Sequence, residues 1–183
     1  MSERPRFVDD TTLSEIIPND DVSHTEAFLV DIICWSQDNL MRVNWNKTKE
    51  MLLGPIAKQQ IPDLSVNDMS NQVSTIIQRI RSFKLLGVII EDNLKWNNHV
   101  DFICKKASSR LYFLKVLKRS SVSATDMLHF YKTTIIPVLQ YACPAWHSSL
   151  NIEQSYRIES IQKRAIKIIY GIYGIYLWTR RLP

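Results

Sequence analysis

The sequence predicts an α+β protein: a mixed, acidic first part of short strands around one helix, then a basic second part of three amphipathic helices. Two observations carry this. Apolar residues change from short β-rich runs to a sustained 3.6-residue period near Asn97-Asn98. The charge changes at the same place: residues 1–98 hold 10 Lys and Arg against 14 Asp and Glu, whereas 99–183 hold 13 against 4. With only four glycines in 183 residues, a turn-rich β-sandwich is excluded.

Taken in order, RFVDDTTLSEII places Phe7-Val8 and Leu13, Ile16 and Ile17 on either side of an acidic centre, the pattern of a hairpin tipped by Asp9 and Asp10. Its first arm is short, and Pro5 has no N–H to donate. Ser23-His24-Thr25-Glu26 has the spacing of a capping box. Phe28, Ile32, Trp35 and Leu40, widened by Leu29, Ile33 and Cys34, then form a helical stripe. Lys49 to Leu53 reads as a short strand ended by Gly54-Pro55, residues 57–72 as a loop, and Val73–Ile80 as a strand or a helical turn. Phe83–Ile90 is β-rich and stops at the turn-forming Glu91-Asp92-Asn93.

Beyond residue 98, Val100, Ile103, Cys104, Ala107, Leu111 and Leu114 make one stripe. A second helix starts at another capping box, Ser123–Asp126, with a kink expected at Pro137. A third follows Asn151, with Ile158, Ile161, Ala165 and Ile168 in register. Three such helices with short connections make a small bundle. The tail from Gly171 loses the period.

Cys34, Cys104 and Cys143 are an odd number without CxxC spacing, so reduced, buried thiols are expected rather than a disulfide framework or a zinc site. The polar start MSERPR offers no secretory core, and no apolar run nears the roughly 18 residues of a membrane span. An intracellular protein of nucleus or cytoplasm, without a membrane partner, is therefore expected. The basic second part points to a polyanion. Lys105, Lys106, Arg110, Lys115, Lys118 and Arg119 fall within fifteen residues with no acid among them; either a phosphate-binding face or a merely solvated one has this composition. Trp96, Trp146 and His147 are assigned to packing.

Adjacent carboxylates on a turn suit Mg²⁺, which takes hard oxygen ligands and keeps several waters. A DD pair alone is usually only a turn. It gains meaning from its surroundings: FVDD (7–10) resembles the (F/Y)xDD box of reverse transcriptases, in the form found in LINE-type (non-LTR) retrotransposons of the jockey and chicken-repeat clades. Trp35-Ser36 and the Asn44–Met51 stretch, with its N-x-x-K-T core, resemble the next palm motif. FKLLGVIIEDNLKW (83–96) is similar to the strand-turn-strand at the primer terminus. HVDFICKKASSRLYFLKVLKR (99–119), YKTTIIPVLQYACPAWHSSL (131–150) and IESIQKRAIKII (158–169) are similar to the thumb. The likeness covers residues 7–170, in the family's order.

This resemblance implies a partial palm over 1–97, a three-helix thumb over 98–170 and an irregular tail over 171–183. It implies RNA-directed DNA polymerase chemistry: Asp9 as a direct Mg²⁺ ligand with Asp10 a second ligand or its local support, Lys47 as the acid that protonates departing pyrophosphate, and deoxynucleotides as substrates; a solvated loop lysine is the plain alternative for Lys47. RNA template and DNA primer would be held by Lys105, Lys106, Arg110, Lys115, Lys118 and Arg119. Gly87, lacking a Cβ, would let backbone approach the primer; a strand bulge is the plain alternative for Leu86-Gly87. Lys163, Arg164 and Lys167 form a second basic group. A complete site needs another palm aspartate to bridge two metal ions about 4 Å apart, and fingers to hold the nucleotide. This chain has neither, so it is expected not to extend a primer alone. Mg²⁺-dependent incorporation abolished by Asp9→Ala would overturn that. A non-catalytic nucleic-acid-binding module and a functionless relic are the alternatives.

Overall fold

A computed structural model describes residues 11–18, 23–59, 61–68 and 73–171. It is a mixed α+β structure with two compact units, one drawn from Met1–Met51 and Gln59–Ile80, the other from Leu52–Lys58 and Arg81–Pro183. Asp9, Asp10 and the tail from residue 172 lie outside the described residues. So does the first arm of the hairpin read over 7–17; its second arm is irregular, and Ile16 is almost fully exposed.

In the first unit, α1 (Thr25–Asp38) is the expected helix with a different start and a different buried face. Its N-cap is His24, and the group that satisfies its first turn is Glu15 rather than Glu26. The Glu15 carboxylate accepts from the His24 backbone N–H (2.8 Å), the Ser23 hydroxyl (2.8 Å) and the Thr25 hydroxyl (2.7 Å). The side packed inward carries Ile33 and Ser36, with Leu29 beside them, while Phe28, Cys34 and Trp35 are exposed. The period was read correctly and its phase was not, because Leu29 and Ile33 are as apolar as their neighbours. Leu40 lies beyond the helix and is exposed.

The expected strand at 49–53 shrinks to β1 (Lys49–Glu50), which pairs in parallel with β4 (Gln78–Arg79). The Arg79 guanidinium donates to the Glu50 carboxylate (2.7 Å) and to the carbonyls of Ile61 (2.9 Å) and Pro62 (2.6 Å), fixing that connection. The stretch read as loop contains β2 (Ser65–Asp68), antiparallel to β3 (Val73–Ile76) with Val66 opposite Thr75. The polar flanks of Val66 hid this strand; Val66 packs with Ile33 and Ile77 in a small core against Leu29, Trp45 and Leu64. Thus the stretch 73–80 holds two short strands, β3 and β4, and no helical turn.

The second unit holds the larger core. A hairpin of β5 (Ser82–Leu85) and β6 (Val88–Glu91) pairs antiparallel, Leu85 opposite Val88. It leads into α2 (Asn97–Arg119), and all six residues of the expected stripe are buried there. Packing places the hairpin with the helices, because Val88 is buried against the stripe and Ile90 lies beside it. By contacts the hairpin and Leu52–Lys58 therefore group with the helices. Glu91 at the end of β6 also caps α2, its carboxylate accepting from the Asn98 N–H and side-chain amide at 3.0 Å each.

The second expected helix is α3 (Ala124–Phe130), a π-helical turn over Tyr131–Ile135 and α4 (Ile136–Gln140). The Ser123 hydroxyl caps it by accepting from the Asp126 N–H (3.2 Å), but the Asp126 carboxylate turns to that hydroxyl (2.7 Å) instead of closing the box. Where a kink is expected at Pro137, the helix has a π-helical turn just upstream. The proline ring would collide with the Thr133 carbonyl in a regular helix, and the wider π turn relieves this. A short α5 (Cys143–Trp146) buries Trp146. Then α6 (Ile152–Tyr170) starts with a complete capping box, Asn151 with Gln154. α2 and α6 run parallel: Gln154 bonds Asn97 (2.8 Å), Arg157 bonds Asp101, and Lys118 bonds the Ile169 carbonyl (3.0 Å). Trp146, Leu111, Leu114, Met127, Ile135, Leu139 and Ile169 fill the centre. Truncating any one to Ala would cost roughly 2–5 kcal/mol.

Of the three cysteines, all free, Cys104 is buried as expected, Cys143 is half-buried and Cys34 is exposed. Burial pushes the Cys104 thiol up from its ordinary pKa, opposed by Arg157 and helped by Asp101, so it is a neutral core group. Among the described residues no helix is long and apolar enough to cross a membrane.

Candidate nucleic-acid interface

α2 carries the six basic residues singled out in the sequence. At 100° per residue a helix spreads them widely, and the structure divides them by role. Lys105, Lys106, Lys115 and Arg119 are exposed and have no carboxylate partner among the described residues. Arg110 is half-buried and donates to the Thr134 carbonyl, inside the π turn where backbone pairing is irregular. Lys118 reaches the Ile169 carbonyl at the C-terminal end of α6, where the helix dipole favours a cation. Arg110, half-buried, and Lys118, exposed, thus each donate to a carbonyl of a neighbouring helical segment, which the charge count could not show.

The nearby acids are occupied. Asp101 accepts from Arg157, and that bond holds the guanidinium in its charged form. Glu159 pairs with Lys163 at 3.1 Å, which also removes one member of the second basic group. Lys84 on β5, outside the basic run of α2, is also exposed. Its Nζ stands 4.6 Å from the centre of the Phe102 ring, and the Lys106 Nζ stands 5.8 Å from that same ring. Each lies within cation–π range, so the hairpin extends the basic surface of α2. Only the docking of β5–β6 beside α2 brings these lysines together, and no local pattern marks that.

Gly87 sits at the tip of the β5–β6 hairpin. Leu86 (φ 46°) and Gly87 (φ 88°) are the two central residues of the β5–β6 turn, and positive φ at both is the signature of a type I′ turn. It is therefore a tight turn and not a bulge. The close approach that glycine permits is taken up within the chain. A Cβ on Gly87 would stand 3.1 Å from Cε1 of Tyr141, whose hydroxyl donates to the Leu86 carbonyl at 2.8 Å.

Lys47 lies in the other unit, exposed on a turn. Its backbone N–H donates to the Asn44 carbonyl (3.0 Å) and side-chain oxygen (3.2 Å), and the Thr48 hydroxyl donates to the same carbonyl (2.9 Å). The N-x-x-K-T spacing is thus a self-bonded turn that presents the Lys47 side chain to solvent. Among the described residues no group of three or more His, Cys, Asp or Glu could hold a metal ion; the candidates Asp9 and Asp10 lie outside them. Trp96 and Trp146 are buried, as assigned, whereas His147 is exposed.

His99, which no local pattern singles out, is completely buried. It accepts from the Ile89 N–H through Nδ1 (3.3 Å) and stands edge-on to Trp96 and Trp146. Burial lowers its pKa. Its neutral ring ties β6 to α2, which is a packing role.

One family model matches, described as alkylated DNA repair protein alkB homolog 8, N-terminal, over residues 96–135. These run from Trp96 through α2 and α3 to the end of the π turn, a minor part of the chain. Neither a curated protein nor a solved structure matches it.

Proposed function

We propose that this chain is the closing palm segment and thumb of a LINE-type reverse transcriptase, and that its own share of the reaction is to hold the RNA–DNA template–primer duplex on α2. The observation that carries the binding role is a set of exposed cations on an acid-free stretch of helix, of which Lys105, Lys106, Lys115 and Arg119 are bonded to neither a carboxylate nor a carbonyl among the described residues. Contacts of this kind grip phosphates and are indifferent to sequence. The polymerase assignment rests on motif order over residues 7–170. Under it, Asp9 and Asp10 ligate Mg²⁺, which would supply charge neutralisation at the reacting phosphates, and Lys47 donates a proton to pyrophosphate.

A second reading comes from the family match, whose printed name is that of a DNA repair protein's N-terminal region. It makes the helical unit a nucleic-acid-binding module without polymerase chemistry. Both readings place the polyanion on the same residues.

The test is a salt titration of the full chain with a labelled RNA–DNA duplex, read by fluorescence anisotropy. Four phosphate contacts predict that affinity falls about 100-fold between 50 and 200 mM salt. Lys105→Glu, Lys106→Glu and Lys115→Glu together should abolish binding and leave the helical circular dichroism unchanged. A chain that does not bind the duplex at 50 mM salt would refute the proposal. Retained binding by the triple variant would refute the assignment to α2.

A further inference from the structure

The face of α2 opposite its buried stripe is not simply a solvated surface. Lys105, Ser109, Tyr112, Val116 and Arg119 follow one another at steps of four, three, four and three, so they line one side of the helix. All five are exposed. Tyr112 is 61 % exposed and its neighbour Phe113 57 %. The two rings meet edge to face, centroids 5.9 Å apart and planes at 74°. Neither ring belongs to the apolar core of the unit. A cation lies at each end of the row, about 21 Å apart at 1.5 Å per residue.

We infer that this row is a stacking platform for unpaired nucleotides, with Tyr112 and Phe113 taking bases and Lys105 and Arg119 taking the flanking phosphates. The inference rests on the nucleic-acid reading above and extends it from duplex to single strand. Aromatic faces between cations are what sequence-tolerant single-strand binding requires, since every base has a π face and every linkage a charge. A second copy of this chain is the other candidate occupant, and charge argues against it. A two-fold pairing would set the same basic row against itself, with Asp101 already bonded to Arg157 and no acid from 102 to 119 to compensate. A single strand brings one negative charge per nucleotide.

The experiment measures binding of the full chain to labelled (dT)20, to an abasic oligonucleotide of equal length and to the RNA–DNA duplex. Tyr112→Ala/Phe113→Ala changes two side chains that are mostly in water, so the fold should be retained. The variant should bind (dT)20 about 5- to 50-fold more weakly than the wild type. It should match the wild type on the abasic strand, keep the same salt slope and retain its duplex affinity. In Tyr112→Trp, the new indole should be quenched by (dT)20 and not by the abasic strand. Equal (dT)20 affinity of wild type and double alanine variant overturns the platform while leaving the duplex reading intact. Concentration-dependent dimerisation lost in the same variant overturns it in favour of a second copy. Failure of the wild type to bind any of the three ligands overturns both readings.

Discussion

Replacing Gly87 by Ala puts the account of the β5–β6 turn at risk in a measurable way. Two costs add. Alanine at φ 88° loses roughly 1–2 kcal/mol to left-handed strain. Its methyl group would also stand 3.1 Å from Tyr141 Cε1, tighter than most side-chain contacts, so the ring must give by a few tenths of an ångström. That movement stretches the 2.8 Å bond from the Tyr141 hydroxyl to the Leu86 carbonyl, worth about 1 kcal/mol. Gly87→Ala should therefore destabilise the helical unit by about 2–3 kcal/mol, and lower the urea midpoint by roughly 1–2 M if the slope is near 1.5 kcal/mol/M. Unfolding read by tryptophan fluorescence suits the purpose, because Trp96 and Trp146 are both buried in this unit. Tyr141→Phe alone should cost about 1 kcal/mol, and the double variant less than the sum, since the hydroxyl bond is lost only once. Gly87→Asn should recover part of the left-handed strain but keep the clash. A Gly87→Ala protein within about 0.5 kcal/mol of wild type that binds duplex poorly would refute this reasoning and return Gly87 to the ligand.

Three further outcomes are expected. Leu86→Asn should stabilise the protein by about 0.5–1 kcal/mol in the same urea assay, because Leu86 is an exposed, non-glycine residue at φ 46° in a turn that favours Asn there. His99 has its pKa lowered by burial, so the unfolded chain takes up a proton that the folded chain refuses. Stability should be flat above about pH 6.5 and fall as pH drops below it, a dependence that comparison with His99→Gln at pH 8 and pH 5 should isolate. Burial pushes the Glu15 carboxyl up, but the His24, Thr25 and Ser23 hydrogen bonds outweigh that and hold it at about 2. Its support for α1 is therefore present above about pH 4.5 and lost on descent toward 2, and Glu15→Gln should cost about 1 kcal/mol at neutral pH by urea unfolding followed through helical circular dichroism.

What could be read in advance was what neighbours in the chain decide among themselves. The stripe from Val100 to Leu114 is visible because six apolar residues at helical spacing, separated by lysines and serines, admit one inward face. The Asn151 cap is equally local. The start of α1 was misassigned because its cap comes from Glu15, ten residues before Thr25, and nothing nearby distinguishes Glu15 from Glu26. β2 was missed because a strand with one buried residue, Val66, looks like a polar loop until its partner is known. The same limit applied to the interface. Six cations in fifteen residues are plain in the sequence, but the diversion of Arg110 and Lys118 to carbonyl oxygens depends on the π turn and on α6. Lys84 joins the surface only through tertiary docking.

The parallel arrangement of α2 and α6 has a consequence for the order in which the chain becomes stable. The bonds joining them, Asn97 with Gln154, Asp101 with Arg157 and Lys118 with Ile169, each span more than fifty residues. Closing such a distance carries its entropic cost before the apolar contacts return anything. During synthesis the flank of α2 that faces Ile161 and Ala165 stays uncovered until almost all of α6 has left the ribosome. In that interval the nascent chain presents a long helix with one bare apolar side, vulnerable to aggregation. A stall or truncation before residue 160 would release a chain with α2 made and its cover missing, while one after Ile169 would leave every described contact between the two helices in place.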